Sequence, residues 1–176
     1  MKPSLFVAIL AAWWPLLALA GCAQKMAPPP YTAEQIRAAN PPGTVYRYKV
    51  ETAGQPMQIR VMEFTSGGSA EKAEVRNRLL DEGGRETTPP SVDRAAWDEL
   101  RRHGEFPQSA LTVHPGTIEV PAGKFEVMVY TVQAPDGDTM RFYFANGYAG
   151  PPVLFYKERA GVRLMTSTLI ERKSGG

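Results

Sequence analysis

The stretch KFEVMVYTVQAPDGDTMRFYFAN, residues 124–146, decides the fold. Two runs rich in β-branched and aromatic residues, 124–132 and 139–146, flank a Pro-Asp-Gly-Asp turn. Asp-Gly between two such runs is a strong local signal for a β-hairpin, because both residues accept the left-handed backbone that tight turns require. The sequence therefore predicts two antiparallel strands at this point of the chain.

Strand-like runs separated by turn residues extend on both sides of this hairpin. Alternating apolar and polar residues indicate half-buried strands. Consecutive strands joined by short turns favour an antiparallel meander. Residues 72–80 also fit a helix, because Val75 and Leu79 are four positions apart. The further predicted strands are residues 44–52, 57–65, 72–80, 118–120, 153–158 and 162–172.

Two helices are expected beside the strands. Residues 91–103 have Ser91 as a favourable N-cap, and Gly104 suits the left-handed position after a helix end. The apolar face of this helix contains Trp97 and should pack on the sheet. A capping-box pattern at residues 32–35 begins a short N-terminal helix. The predicted fold class is α+β and mostly antiparallel β: a curved meander sheet with one packing helix and a short N-terminal helix.

Several predicted strands are apolar on both faces, so one face of the sheet needs a cover. Two alternatives remain open at this point. Either the helix over residues 91–103 lies on that face, or the sheet curls into a half-barrel around an apolar hollow. A hollow could hold a ligand, whereas a covered core could not.

The N-terminal segment has the features of an exported protein. Lys2 precedes an apolar run over residues 5–19, and the small residues Ala20 and Gly21 follow it. A positive end, an apolar centre and a small-residue exit are typical of a signal peptide. The alternative is an uncleaved membrane anchor, but residues 5–22 are at the short end of the about 17–25 residues that a spanning helix needs.

The sequence Leu-Ala-Gly-Cys at residues 19–22 resembles the lipobox of bacterial lipoproteins. The resemblance implies cleavage before Cys22, with a diacylglyceryl group on its thiol and usually a third acyl chain on the new amino terminus. The Asn-Pro-Pro-Gly sequence at residues 40–43 ends any helix there. With the cleavage site, it divides the chain into a signal peptide (1–21), a lipid-anchored, Pro-rich tether with a short helix (22–42), and a single β-rich periplasmic domain (43–173).

The residues around Cys22 also suggest a location. Stable anchoring takes about two acyl chains, which the lipobox resemblance supplies. In enteric lipoproteins an Asp after the cysteine retains the protein in the inner membrane, but Ala23 and Gln24 follow here. The resemblance thus favours the periplasmic face of the outer membrane, with that of the inner membrane as the alternative. Residues 23–30 contain three consecutive prolines and are expected to form an extended spacer that lifts the domain off the bilayer.

A weaker resemblance covers about residues 118–170. The sequence IEVPAGKF at 118–125, then Tyr130 and GPPV at 150–153, is similar to uncharacterised bacterial envelope proteins of unknown function. Some of those proteins resemble curved-sheet periplasmic lipoprotein carriers. The resemblance implies no catalytic residues.

The sequence offers no recognisable catalytic or metal constellation. His103 and His114 are far apart and lack the spacing of zinc ligands. Asp136 and Asp138 resemble a carboxylate pair, but they lie in a hairpin turn, where Asp is favoured for backbone hydrogen bonds. A formal net charge of +2 without a basic stripe argues against nucleic acid as a partner. We therefore predict no catalytic residue, metal site or cofactor.

One aromatic group remains as a candidate surface. Core and edge packing explains such residues in most proteins. The alternative is a ligand mouth or partner surface around the loop at residues 147–152. The sequence thus predicts a non-catalytic binding or interaction module that contacts another envelope protein, or alternatively a half-barrel binder or carrier of a lipid or other apolar ligand. The candidate residues are Tyr143, Tyr148, Phe155, Tyr156 and Trp97.

Overall fold

The computed structural model describes residues 24–176, so the predicted signal peptide and Cys22 lie outside the described residues. Within this range nine strands form one antiparallel sheet, accompanied by two short helices. This confirms the predicted class, α+β with a curved, mostly antiparallel sheet. The elements are α1 (Ala33–Ala39), β1 (Val45–Thr52), β2 (Gln58–Phe64), β3 (Lys72–Leu80), β4 (Ser91–Ala96), α2 (Trp97–Arg102), β5 (Leu111–Val120), β6 (Gly123–Gln133), β7 (Asp138–Ala145), β8 (Leu154–Arg159) and β9 (Val162–Lys173).

The sheet consists of two meanders that meet in its middle. Its strand order is β4-β3-β2-β1-β9-β8-β7-β6-β5, so β1 pairs with β9 and both meanders run outward from that pair. The register shifts between Arg47 and Tyr48 and again between Lys157 and Glu158. Such irregularities bend the strand and increase its twist, which contributes to the curvature of the sheet.

The hairpin at residues 124–146 forms as predicted. Strands β6 and β7 pair from Val127 opposite Ala145 to Gln133 opposite Thr139. Gly137 has a φ of +85°, a left-handed conformation that a glycine adopts without strain. The ambiguous run at residues 72–80 is a strand as well, because it pairs with β2 on one side and β4 on the other.

The predicted helix over residues 91–103 is wrong in its first half. Residues Ser91–Ala96 form β4, whose backbone pairs with β3, and only Trp97–Arg102 is helical. Pairing with β3 holds this backbone in an extended conformation, which overrides the local helix signals. The N-cap is therefore Ala96, without a side-chain hydrogen bond, and Gly104 does not take the predicted left-handed conformation.

The short N-terminal helix is confirmed together with its capping box. Thr32 Oγ1 accepts a hydrogen bond from the Gln35 backbone N–H at 3.2 Å, and Gln35 Oε1 accepts one from the Thr32 N–H at 2.8 Å. Two N–H groups that the helix leaves without partners are thereby satisfied. The helix buries Ile36 against the core.

Both helices cover the same face of the sheet, which we call the inner face. Trp97 of α2 stacks on Phe64 of β2, and Tyr31, just before α1, contacts the Phe144 ring of β7 edge-on. Tyr46 and Leu169, on the central strands, are fully buried. Within residues 24–176, no helix has the length and apolar character needed to cross a membrane.

Candidate binding site

An apolar hollow of about 300 Å³ lies between the two helices and the inner face. This volume is at the small end of the range for ligand pockets, about 300–1,000 Å³. The sequence left open whether the helix would cover the sheet or leave a hollow; the structure contains both features side by side. The apolar side chains that line the hollow include Ile36, Met62, Phe64, Leu100, Phe142 and Phe144.

The lining follows from strand alternation and from the placement of the helices. Phe142 and Phe144 are two positions apart on β7, so both side chains project from the inner face. Met62 projects from the same face of β2. Leu100 of α2 and Ile36 of α1 close the hollow from the other side. The sheet therefore supplies mostly aromatic side chains to one side of the hollow, and the helices supply aliphatic side chains to the other side.

The polar part of the lining contains charged side chains. Arg60 and His103 are exposed, and the Nη2 of Arg60 is 3.5 Å from Asn77 Oδ1. Arg101 is engaged on both sides, since its guanidinium donates to Asp98 at 2.7 Å and to Glu105 at 2.5 Å. Arg60 and His103 are thus the polar side chains best placed to meet a bound molecule.

Asn40 holds one wall of the hollow in place. This residue is 2% exposed, and its Nδ2 donates to the carbonyls of Ile36 at 2.6 Å and Ala149 at 2.9 Å. Its Oδ1 accepts from the Tyr46 hydroxyl at 2.6 Å. A Cβ atom on Gly150 would approach the Tyr46 hydroxyl oxygen to 2.6 Å. The loop that contributes Gly150 to the hollow therefore has a glycine where the buried network leaves no room for a side chain.

Buried tyrosine side chains lie in or near the hollow and add no charge to it. Tyr31 lines the hollow, and its hydroxyl donates to the Ala145 carbonyl at 2.7 Å. Burial raises the pKa of Tyr31 and that of Tyr48 well above the ordinary tyrosine value. The Tyr48 hydroxyl is buried without a hydrogen-bond partner. Both phenols remain neutral at physiological pH.

Two further depressions continue the hollow. One of about 230 Å³ shares Asn40 and Phe64 with it and extends to Trp97. The other, of about 410 Å³, shares Arg60 and has a more polar lining that includes Asn77. The candidate site is therefore an elongated surface with an apolar centre and more polar ends.

The structure separates the aromatic residues that the sequence grouped together. Tyr143 and Tyr156 lie on the face of the sheet opposite the hollow, with ring centroids 6.1 Å apart. Phe155 projects from the inner face, where its ring centroid is 4.8 Å from that of Phe142. Tyr148 packs edge-on against Phe125.

Trp97, the fifth candidate, lines the depression beside the hollow. A ligand or partner role for these five residues stays a prediction. The loop around which the four candidates other than Trp97 were expected does contribute, because Gly150, Pro151 and Pro152 line the hollow.

Sequence reasoning missed Met62, Leu100 and Arg60 as residues of the site. The alternation of β2 indicated the face to which Met62 belongs, but no local signal showed that the helix would lie over that face. His114 is exposed on β5. Over the described part of the chain, no three His, Cys, Asp or Glu side chains are grouped to hold a metal ion.

Comparison with known proteins gives a likeness of fold. No protein-family model and no curated protein matches the chain. Among solved structures, MucB in the complex structure of Pseudomonas aeruginosa MucA/MucB matches with a TM-score of 0.51 and 16% identity over 81% of this chain. A crystal structure of MucB matches with a TM-score of 0.53 and 15% identity over 81% of this chain.

A third match is the crystal structure of MucB in complex with MucA(peri), with a TM-score of 0.50 and 16% identity over 82% of this chain. The present chain spans only about half the length of these structures, since 53–56% of them is covered. At this level of identity the likeness concerns the fold alone.

Proposed function

We propose that the chain is a lipid-anchored, non-catalytic binding module of the bacterial envelope, which takes up a segment of a partner protein along its inner face. The observation that carries the proposal is the elongated surface centred on the hollow. Its apolar centre suits the side chains of a partner segment, and its polar ends suit the backbone of that segment.

The shape of the surface favours a chain segment over a compact ligand. The two outer depressions share Asn40, Phe64 and Arg60 with the hollow, so one continuous molecule could contact all three. The likeness to MucB supports this reading, since MucB has been crystallised in complex with MucA. The partner of the present chain is proposed to be another envelope protein.

The anchor of this module is proposed to be Cys22. The Leu-Ala-Gly-Cys sequence at residues 19–22 ends an apolar segment, as in lipoproteins, and Ala23 and Gln24 favour the periplasmic face of the outer membrane. A Cys22→Ser variant should lose the acyl mass and separate from the membrane fraction. Equal mass shift and membrane retention in both proteins would contradict the lipid anchor.

Site-specific photo-crosslinking tests the partner surface. A benzophenone amino acid at His103, in the lining of the hollow, should give adducts with one envelope protein in intact cells. The same amino acid at exposed Gln55, in the turn after β1, serves as the control. Adducts of equal pattern at both positions would contradict a partner site at the hollow.

A second candidate function rests on the same cavity. The hollow itself is mostly apolar, so it could hold a lipid or another apolar molecule instead of a protein segment. Native mass spectrometry of the purified protein distinguishes the two. A persistent lipid-sized adduct that a Met62→Trp variant loses, while an exposed Val162→Trp control keeps it, would favour this alternative.

A further inference from the structure

The segment predicted to be a spacer lies against the folded domain. The Ala27 N–H donates to the Phe106 carbonyl at 2.8 Å, and the Gln108 N–H donates to the Lys25 carbonyl at 2.9 Å. These bonds flank an antiparallel bridge between Met26 and Pro107. Residues 25–27, which we call the strap, are thus fixed to the chain that leads into β5.

Contacts continue beyond the strap. Pro30 packs so closely on Gly104 that a Cβ atom on that glycine would lie 2.7 Å from Pro30 Cδ. The Tyr31 hydroxyl then bonds to Ala145, and α1 follows at once. The chain from residue 25 onward is therefore held to the domain at successive points, which differs from the free spacer expected from the three prolines.

This attachment leaves little chain between the anchor and the domain. Only Ala23 and Gln24 separate Cys22 from Lys25. An extended chain spans at most about 3.6 Å per residue, so Lys25 lies within about 11 Å of Cys22. The headgroup region on each side of a bilayer is about 5–7.5 Å thick, half the difference between the thickness of the full membrane and that of the hydrocarbon core. Lys25, where the strap begins, must therefore lie at the level of the headgroups or just above them.

The surface around the strap has a composition that suits that level. Among the described residues, four large hydrophobic side chains are exposed, and Met26 (44%) and Val113 (39%) are two of them. Val113 pairs with Tyr130, whose ring lies 6.2 Å from that of Phe106. Lys25 is exposed beside Met26 and can meet lipid phosphates. Exposed apolar side chains with a cationic neighbour are typical of interfacial contacts.

We infer that the surface formed by the strap and residues 106–113 rests on the headgroups of the bilayer that holds Cys22. The inference rests on the proposed lipid anchor and adds an orientation to it. The strand pairings, followed from β5 across to β2, place Leu111 level with the start of β2 and therefore opposite to Phe64 along the strand direction. The loop that follows Phe64 therefore projects away from the membrane.

Fluorescence quenching by nitroxide-labelled lipids tests this orientation. The full chain, lipidated in cells, is reconstituted into vesicles of phosphatidylethanolamine and phosphatidylglycerol. Since the acylated Cys22 is the one natural cysteine, a fluorophore can be placed on Gln108→Cys or Val113→Cys. Exposed Ser66→Cys, in the loop after β2, is the matched control.

We expect headgroup nitroxides to quench the fluorophore several-fold more strongly at residues 108 and 113 than at residue 66. A flexible Gly-Ser insertion of about ten residues between Gln24 and Lys25 adds a mean span of about 17 Å and should abolish the difference. Equal quenching at all three positions would overturn the inference. So would quenching at residues 108 and 113 that the insertion leaves unchanged, because the short tether would then not be its cause.

The same samples separate this inference from the proposed anchor. A parent chain that fails to float with vesicles, and whose Cys22 takes up the fluorophore, contradicts the lipid anchor and the orientation that depends on it. A chain that floats and gives equal quenching contradicts the orientation alone.

Discussion

The indole ring of Trp97 lies parallel to the phenyl ring of Phe64, with their centroids 6.2 Å apart and their planes inclined by 4°. Trp97 begins α2 and Phe64 ends β2, so this pair fastens the helix to the sheet. Trp97 Nε1 also donates to the Ser69 carbonyl at 3.2 Å, in the loop that follows β2.

We expect Trp97→Ala to lower the free energy of unfolding by about 3–5 kcal/mol, because it removes a large buried side chain and leaves a cavity. Urea denaturation of the purified protein measures this loss. Trp97→Phe is the control: it keeps an aromatic ring on Phe64 and loses the hydrogen bond, so most of the stability should remain. A loss below about 1 kcal/mol for Trp97→Ala would show that α2 is not held by this contact.

Asn40→Ala should destabilise the protein through unsatisfied hydrogen bonds. The substitution removes the acceptor of the Tyr46 hydroxyl proton, while Arg172 Nε still donates to that oxygen at 3.3 Å. It also removes the donor to the Ile36 and Ala149 carbonyls. A buried group left without a partner costs about 1–3 kcal/mol. Thermal unfolding of Asn40→Ala beside exposed Asn146→Ala measures the difference. Equal unfolding temperatures for the two variants would contradict a structural role of this network.

Acid stability should depend on Asp138, at the start of β7. Its carboxylate is 1% exposed and pairs with Arg159 and Lys157, and these partners hold its pKa below the ordinary value. A carboxylate whose pKa is lower in the folded state contributes stability above its unfolded pKa of about 3.9. That contribution disappears as the pH falls through the folded pKa.

Asp138→Asn should therefore flatten the decline of stability below about pH 4. Urea midpoints measured from neutral to acid pH test this. The control is Asp136→Asn in the same turn, whose side chain is 57% exposed, and it should keep the slope of the parent. If the stability of Asp138→Asn declines with falling pH as steeply as that of the parent, other carboxylates cause the acid sensitivity.

The contact between Gly104 and Pro30 should show coupling between two substitutions. Gly104→Ala places a Cβ atom 2.7 Å from Pro30 Cδ, and overpacking of this kind typically costs about 1–3 kcal/mol. Pro30→Ala removes the ring carbon and should relieve the cost, so the double variant should be more stable than Gly104→Ala alone. Hydrogen exchange at the Ala27 amide should rise in Gly104→Ala if the strap moves. Additive effects of the two substitutions would contradict the close approach.

The local sequence patterns predicted most of the strands correctly, but they failed at the edge strand β4. The hairpin at residues 124–146 carries its own turn signal and alternation, so no distant residue is needed to recognise it. Residues 91–96 carry helix signals, with Ser91 as a candidate cap and Asp93 near the start. Their structure is set by β3, where Val75 lies opposite Asp93. A pairing partner in another part of the chain outweighed the local preference.

The hollow could be anticipated only as an alternative. Strands that are apolar on both faces predicted either a cover or a cavity. Recognising that both are present required knowing that Leu100 would lie opposite Phe142. The grouping of Tyr143, Phe155 and Tyr156 illustrates the same limit. Their closeness in sequence suggested one surface, but the register of β7 and β8 places Phe155 on one face and the two tyrosines on the other.

The pairing of β1 with β9 also determines when the fold can be completed. Val45 lies opposite Lys173, so the central ladder joins the two ends of the domain. Contacts between residues so far apart in sequence are slow to form, because a long loop must close first. During synthesis, which proceeds from the N-terminus, β1–β4 must wait with an open edge at β1 until β9 emerges. Strand β9, which follows the other eight described strands in the chain, thus unites the two meanders.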